Sequence, residues 1–373
     1  MKKICFVTTS PLIVNFFLVP HLLHLARRYE MSLALRLPGE VALLPLPGVD
    51  TIPVDIRREI APLADAVTLG SLARLFRRRR FDLVHSFGPK AGLLSAAAGR
   101  LAGTRARLHT FTGQVWATRA GPMRALLRGA DAITARLATH VFADSASQRD
   151  FLEREGIIPP GRVEVLGKGS VSGVDLQRFR PDPAARSSVR EELGVADAVP
   201  LIMFMARLTR DKGAPDLARA FPRLDRNAVL VFVGPDEEGL RDELRRLAGE
   251  AASRLRFVDY TNVPQRYLAA ADVVCLPSHR EGFGSVLIDA AAVGVPSVAS
   301  RIYGVVDAVV EGETGLLFAP GDVDDLARRL KTLVSDRPLR ARMGAAARAR
   351  VEAHFSQEAA LRALEERYEE ILL

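Results

Sequence analysis

Residues 272–300 read DVVCLPSHREGFGSVLIDAAAVGVPSVAS. An apolar run rich in β-branched residues, DVVCLPS, gives way to a polar loop carrying two glycines, SHREGFGS; a helical pattern, VLIDAAAVG, and a second apolar run, VPSVAS, follow. Strand, loop, helix and strand in this order make a βαβ unit, whose strands run parallel and are buried on both faces. The alternation continues outward. Towards the N-terminus come LRFVD, AVLVFVG and PLIMFMA, with the helical LRDELRRLAGEA between the first two. Beyond the proline-bounded stretch RFRPDPAARSSVREELGVADAVP lies an earlier series, KICFVTT, SLALRL, FDLVHSF and ARLHTFT, again interleaved with helical patterns.

The chain is therefore read as α/β, with two Rossmann-like, doubly wound domains. Its 373 residues suffice for two cores. The expected division is residues 1–172 and 173–353, with the linker near Gly173 to Pro183. Residues 354–373 are expected to form a C-terminal helix: Ala360, Leu361, Leu364, Tyr368, Ile371 and Leu372 recur at helical spacing. The first domain is one candidate surface for that helix to cross back onto.

Hydrophobic residues make up 48% of the chain and charged residues 26%, the balance of a globular protein rather than a disordered or fibrous one. The two cysteines, Cys5 and Cys275, both fall inside apolar runs, which points to buried thiols and a reducing cytoplasm rather than a disulfide or metal site. The opening MKKICFVTTSPLIVNFFLVPHLLHLA is interrupted by Thr, Ser, Asn, Pro and His, so it reads as strand, loop and helix rather than a secretion signal. Charge is uneven: residues 1–168 hold 24 Lys and Arg against 13 Asp and Glu, while the remainder hold 28 against 31. A basic first half suits an anionic partner, whether nucleic acid, lipid or a phosphorylated substrate.

In open parallel sheets, ligands bind beyond the carboxyl ends of the strands. Two such loops carry chemistry. In SHREGFGS, Gly282 and Gly284 let backbone approach a ligand, and amides near Ser285 face an anion. Asp289, one helical turn after Ser285, is placed to accept hydrogen bonds from the two hydroxyls of a ribose, and Glu281 from those of a sugar. In MARLTRDKGAPDL, Arg207 and Lys212 flank a turn ending in Gly213, a setting for pyrophosphate. Together the loops indicate a sugar-bearing nucleotide diphosphate.

On these motifs the sequence resembles the retaining, nucleotide-sugar-dependent glycosyltransferases of family 4, which have two Rossmann-like domains facing a central cleft, the GT-B arrangement. Glu281 and Asp289 resemble that family's E-x7-E motif, with Asp in place of the second Glu, which shortens the reach to the ribose by one methylene. VFVGPDE, with Gly234, is similar to its glycine-rich turn, and VDYTNVPQRYLAAAD to its base-binding stretch. LVHSFGPKAGLLSAAAGRLAG, ARLHTFTGQVWATRAG, VFADSASQRDFL and GSVSGVDLQRFRP resemble the bacterial branch that builds capsule, O-antigen and protein-glycan chains on undecaprenyl diphosphate.

The resemblance implies transfer of a hexose or N-acetylhexosamine from a UDP-sugar to an undecaprenyl-diphosphate-linked saccharide. UDP-sugar would be a co-substrate, with no cofactor and no metal. Arg207 and Lys212 would neutralise the diphosphate and Glu281 would contact the donor sugar. The Gly282, Phe283, Gly284 and Ser285 backbone, Asp289 and Gly234 would complete the donor site. His109 would lie near the donor sugar. Asn15, His85, Lys90, Thr112 and Gly113 would face the acceptor, although TTSPLIVN stands where many members carry a Gly-Gly loop. A lipid-linked acceptor and the basic run RLFRRRR suggest a cytoplasmic protein peripherally attached to the anionic inner face of the membrane.

Two other classes compete. A nucleotide-sugar epimerase of GT-B architecture would need no lipid acceptor and no basic first domain. A nucleic-acid-binding protein would need a reader motif or aromatic-interleaved basic stretches, and none is present. GRVEVLGKGS is no phosphate loop, because five residues separate Gly161 from Gly167 and Gly169 follows Lys168 where Ser or Thr is required. DVDD at 322–325 is read as a helix N-cap rather than a metal site. The seven histidines lack zinc spacing.

Overall fold

In β1 (Lys3–Val7), Ile4 and Phe6 enter one apolar cluster and Cys5 and Val7 enter another. A strand buried on both faces is what a sheet covered by helices on both sides requires, and each fully buried Val, Leu, Ile or Phe contributes roughly 1.5–3 kcal/mol. The computed structural model describes residues 1–38, 41–224 and 227–373. The first sheet continues with β2 (Glu30–Leu35), β3 (Val49–Pro53), β4 (Leu83–Phe87), β5 (Ala106–Phe111), β6 (His140–Ala143) and β7 (Val163–Glu164). All its strands are parallel, in the order β3-β2-β1-β4-β5-β6-β7.

The second sheet comprises β8 (Leu201–Met205), β9 (Val229–Val233), β10 (Leu255–Val258), β11 (Val273–Leu276), β12 (Ser297–Ser300) and β13 (Gly315–Phe318). Its order is β10-β9-β8-β11-β12-β13, again all parallel. Leu201 and Met203 join one cluster and Ile202 and Phe204 the other, so this strand too is buried on both faces. Both sheets therefore reverse winding at one point, between β1 and β4 and between β8 and β11, where a doubly wound sheet opens its ligand crevice.

The chain divides into Met1–Ser172 with Glu358–Leu373, and Gly173–Gln357. It thus passes between the units twice, and the passing segments are joined to each other: Val174 N donates to Phe355 O and Gln357 N to Val174 O, both at 2.8 Å. Gly173, at φ +59°, has no room for a side chain, because a Cβ would lie 2.7 Å from Ser356 O. The final helix, Gln357–Leu372, buries Leu364 and Tyr368 in the cluster that holds Ile4, Phe6 and Leu83. Glu365 meets His24 at 2.9 Å and Arg28 at 3.1 Å, and Arg367 meets Glu164 at 2.7 Å. The helix is part of the first unit.

Both cysteines are free and buried, and burial pushes the Cys5 thiol up to about 12. Asp322 caps its helix by accepting from Asp325 N at 2.8 Å. Among the described residues, no helix is long and apolar enough to cross a membrane, and no group of three or more His, Cys, Asp or Glu is placed to hold a metal ion.

Candidate active site at the second switch point

The loops leaving β8 and β11 meet because three glycines remove side chains where backbones touch. Gly213, at φ +73°, follows the turn Arg210–Lys212 and would set a Cβ 1.9 Å from Pro277 O. Gly234, at the end of β9, would set one 2.1 Å from Ala206 O, and Gly304 one 2.4 Å from Gly282 O. No L-residue fits at such separations. The loops are then cross-linked by charge: Lys212 Nζ donates to Glu281 Oε1 at 2.6 Å, Arg280 to Asp211 at 2.8 Å, and His279 Nε2 meets Asp216 Oδ2 at 2.9 Å. His279 N also donates to Asp211 O at 2.8 Å.

Electrostatics follows from these contacts. The Asp216 hydrogen bond raises the His279 imidazole above its ordinary value, and the same bond holds the Asp216 carboxyl low. Asp211 is pulled upward by burial but held low on balance by the Thr209 hydroxyl and the charges of Arg280, Lys212 and Arg207. Glu281 accepts from both Lys212 and Ser278 Oγ, the latter at 2.7 Å. Arg207 pairs with Glu237 at 2.6 Å. Two cations thus stand at the switch point with carboxylates as partners. A diphosphate could take over or share those contacts, because phosphate oxygens offer the same acceptor chemistry with more charge.

Phe283 is buried and its ring lies 5.4 Å from that of Phe355, so only its backbone is available to a ligand. Gly284, at φ +78°, caps the helix Ser285–Ala292. Asp289 lies one turn into that helix, half-buried, and burial raises its carboxyl to about 7 against the opposing charge of Arg178. Arg178 is itself held by Asn262 O at 2.8 Å and Gln265 Oε1 at 3.1 Å. The proposed ribose acid and the stretch 258–272 are therefore neighbours through Arg178.

The first unit treats its expected site residues differently. His85, on β4, is buried, with Nδ1 bonded to Tyr368 OH at 2.5 Å and Nε2 to Thr110 Oγ1 at 2.7 Å. Both ring nitrogens are used inside the unit, which departs from the expected acceptor-facing position: the returning C-terminal helix covers the imidazole. His109 pairs in register with Ser86, and its Nδ1 lies 2.9 Å from Ser86 Oγ. Ser86 Oγ donates to Leu108 O at 3.1 Å, so it accepts the Nδ1 proton and leaves Nε2 as an acceptor. That Nε2 is buried and has no partner among the described residues. Gly92 makes the space, since a Cβ there would lie 2.4 Å from the His109 ring. Burial lowers the His109 imidazole to about 3, so it is neutral at physiological pH.

Lys90 pairs with Asp65 at 2.7 Å and also donates to Glu59 O, contacts that an acceptor diphosphate would have to displace. Asn15 ties its turn to the loop at 41–44 through Ala42 O at 2.9 Å and Leu44 N at 3.0 Å. Thr112 is exposed and Gly113, at φ +111°, is buried beside it. The donor candidates Glu281, Gly282, Phe283, Gly284, Ser285 and Asp289 lie on one loop and helix, faced by Lys212. The acceptor candidates are spread over three strand ends.

Two family models match the chain: "Glycosyl transferases group 1" over residues 185–350 and "Glycosyl transferase 4-like domain" over residues 23–169. The chain belongs to the glycosyltransferases. This glycosyltransferase is 29% identical to the capsular polysaccharide biosynthesis glycosyltransferase CapM of Staphylococcus aureus over 86% of its own length and 84% of that protein's. It is 37% identical, over 50% of its length and 52% of the other's, to a GDP-mannose-dependent phosphatidylinositol monomannoside mannosyltransferase of Corynebacterium glutamicum, one that acts on the monoacylated form. HepE of Anabaena, solved in complex with UDP and glucose, shares its fold at a TM-score of 0.83 and 20% identity, with 99% of this chain and 100% of that one covered. The fold is GT-B-like, as the family resemblance implied.

Sequence reasoning passed over several residues of the candidate site. Ser278, His279 and Arg280 stood in the quoted loop beside Glu281, but Asp216 and Asp211, the partners of His279 and Arg280, are more than sixty positions away. Gly304 and Arg178 carry no local signal. Gly304 is one glycine in a surface-like turn, and Arg178 sits in the linker.

Proposed function

We propose that this glycosyltransferase moves a hexose or N-acetylhexosamine, with retention, from a UDP-sugar to an undecaprenyl-diphosphate-linked saccharide in surface polysaccharide or protein-glycan assembly. The observation that carries the reading is the Lys212–Glu281 pair, 2.6 Å apart where the β8 and β11 loops meet. It supplies one cation for a phosphate and one carboxylate for sugar hydroxyls within a single contact. Arg207 adds the second cation. In this role the two cations stabilise charge as it develops on the leaving phosphate, a preorganised electrostatic contribution that needs no resident metal.

Retention without an enzymic nucleophile corresponds to a front-face substitution. The bond from the sugar's anomeric carbon to the phosphate oxygen breaks, its electron pair staying on that oxygen; the acceptor hydroxyl oxygen bonds to the same face and its proton passes to the departing phosphate. Asp289 accepts from the ribose hydroxyls, and the Gly282–Ser285 backbone faces the diphosphate. His109, Thr112 and Gly113 are the first unit's candidates for contact with sugar or acceptor. The kinship with CapM supports capsule-type chemistry, and a lipid acceptor places the enzyme at the cytoplasmic face of the membrane.

A second donor reading, GDP-mannose, is favoured by the mannosyltransferase kinship. Thermal shifts with UDP, GDP, ADP and their common sugar conjugates separate the two, because a ligand that binds only the native state raises apparent stability by RT ln(1 + [L]/Kd). UDP-sugars are expected to stabilise the wild type, and Glu281→Ala and Asp289→Ala to lose that shift. Stabilisation by GDP-mannose alone would replace the donor. Unchanged shifts in both variants would remove Glu281 and Asp289 from the donor site.

A further inference from the structure

The helix Gly121–Leu137 packs Leu127, Ala132 and Ala135 inward and yet also exposes large apolar side chains. Its buried residues are Asp131, Thr134 and Ala135, and Asp131 accepts from Trp116 Nε1 at 2.7 Å. Its exposed residues include Met123, Leu126 and Ile133, at 41%, 57% and 52% exposure, spaced three and seven apart on one face. Ala125 and Arg136 are exposed beside them and Gly129 is half-buried, while Arg124 and Arg128, with side chains 40% and 42% exposed, are paired with Glu155. A solvent-facing helix ordinarily places charge outward and apolar side chains inward.

The surrounding layer is strongly basic. This helix packs on Pro89–Ala102, which packs on Pro62–Arg79. From residue 62 to 137 the chain has 13 Arg and Lys against three acids. None of the three acids faces outward uncommitted: Asp65 pairs with Lys90, Asp82 accepts from Lys3 N at 2.7 Å, and Asp131 is buried. Arg74, Arg77 and Arg78 line a recess on the outermost helix with Gly70 and Ala73, and Arg77 also donates to Leu101 O at 3.0 Å, beside exposed Leu101. Leu63 and Val67, on the same helix, are 88% and 71% exposed.

We propose that this three-helix face is a membrane-docking surface, with Met123, Leu126 and Ile133 entering the acyl boundary of an anionic leaflet while Arg74, Arg77 and Arg78 engage lipid phosphates. The combination selects the occupant. A second copy of the same face would bring like charges together, and a nucleic acid would leave the apolar stripe without a partner. An anionic bilayer satisfies both the apolar and the cationic components, as for helices that lie in the interface plane. The inference deepens the lipid-acceptor reading and rests on it for its purpose, but not for its geometry.

The test uses the full chain and co-sedimentation with phosphatidylcholine vesicles, with and without about 30% phosphatidylglycerol. Wild type is expected on the anionic vesicles only, and Leu126→Glu/Ile133→Glu to bind them at least about tenfold more weakly. Leu126→Trp, read against the buried Trp116, is expected to shift its emission to the blue on anionic vesicles. Equal binding to neutral vesicles, full binding by the double variant, or a dimer that Leu126→Glu breaks would each overturn the proposal. The double variant should keep its nucleotide thermal shift and its transfer to a water-soluble acceptor analogue. Loss of donor binding in the wild type would overturn the function while leaving the vesicle result intact.

Discussion

The two sheets share a winding order through their first six strands, yet their switch points are built from opposite materials. At β8 and β11 the loops are stitched by charged pairs, Lys212–Glu281, Arg280–Asp211 and His279–Asp216. In the first sheet, on β4 beside the β1/β4 switch point and on its neighbour β5, the polar side chains are neutral and buried, with His85 held by Tyr368 and Thr110 and His109 by Ser86. The difference teaches that one scaffold can present an ion-binding edge or a packed one. The choice depends on whether polar groups stay near water or are closed in by another element. For His85 that element is the returning C-terminal helix, and for His109 it is the helix Pro89–Ala102, which meets the ring at Gly92.

The sharpest way to break the second site is to spoil its backbone contact. Gly213→Ala places a Cβ against Pro277 O in a left-handed conformation, and neither backbone can yield without moving its loop. A loss of about 4 kcal/mol or more is expected, in the range reserved for such defects, read as a large fall in Tm with donor binding lost alongside. A Tm near that of wild type would mean that the loops are not locked together in solution.

Charge and packing separate at the next level. Lys212→Ala should lower turnover by about 10²–10³-fold with little change in Tm, the cost of losing one preorganised group at a developing charge. Tyr368→Phe should do the reverse, keeping activity per folded molecule while costing about 1–3 kcal/mol because His85 Nδ1 loses its partner in the interior. Nucleotide-release assays and thermal melts on both proteins check the pair. Equal loss of folding in Lys212→Ala would assign that lysine to structure.

The smallest expected effect is in pH dependence. Asp289 has its carboxyl raised to about 7 by burial, whereas an unfolded Asp titrates near ~3.9. Between those values the native state holds a proton that the unfolded chain has released. Wild-type stability should therefore fall as pH rises through that window and level off above it. Asp289→Asn should lack this drift, so its melting temperature should gain on the wild type by a few degrees across the window. If Asp289 holds the ribose as a carboxylate, the nucleotide-induced shift should also grow with pH through about 7 in the wild type and stay flat in the variant. Parallel melting curves would show that Asp289 titrates as an ordinary carboxylate.

Much of the scaffold was legible in local pattern. Apolar runs such as PLIMFM and AVLVFV could become only buried strands once helices intervened, and Asp322 capped its helix where the DVDD stretch indicated. The donor loop was legible for the same reason: Glu281 through Asp289 are consecutive, so one loop and one helical turn fix their relation. The acceptor side was not, because its candidates come from separate strands whose side chains face either ligand or core according to what covers them.

By itself, the sequence determined the two doubly wound sheets, the glycine-bearing loop with its paired acids, and the basic character of the first half, since each follows from periodicity, adjacency or composition. Tertiary structure alone decided that Lys212 meets Glu281, that Asp211 and Asp216 bind the neighbours of that acid, that His85 is closed beneath Tyr368, and that an apolar stripe on residues 121–137 faces outward. Each of these depends on contacts between residues far apart in the chain. Burial, charge pairing and a close backbone approach become defined only when those segments are brought together.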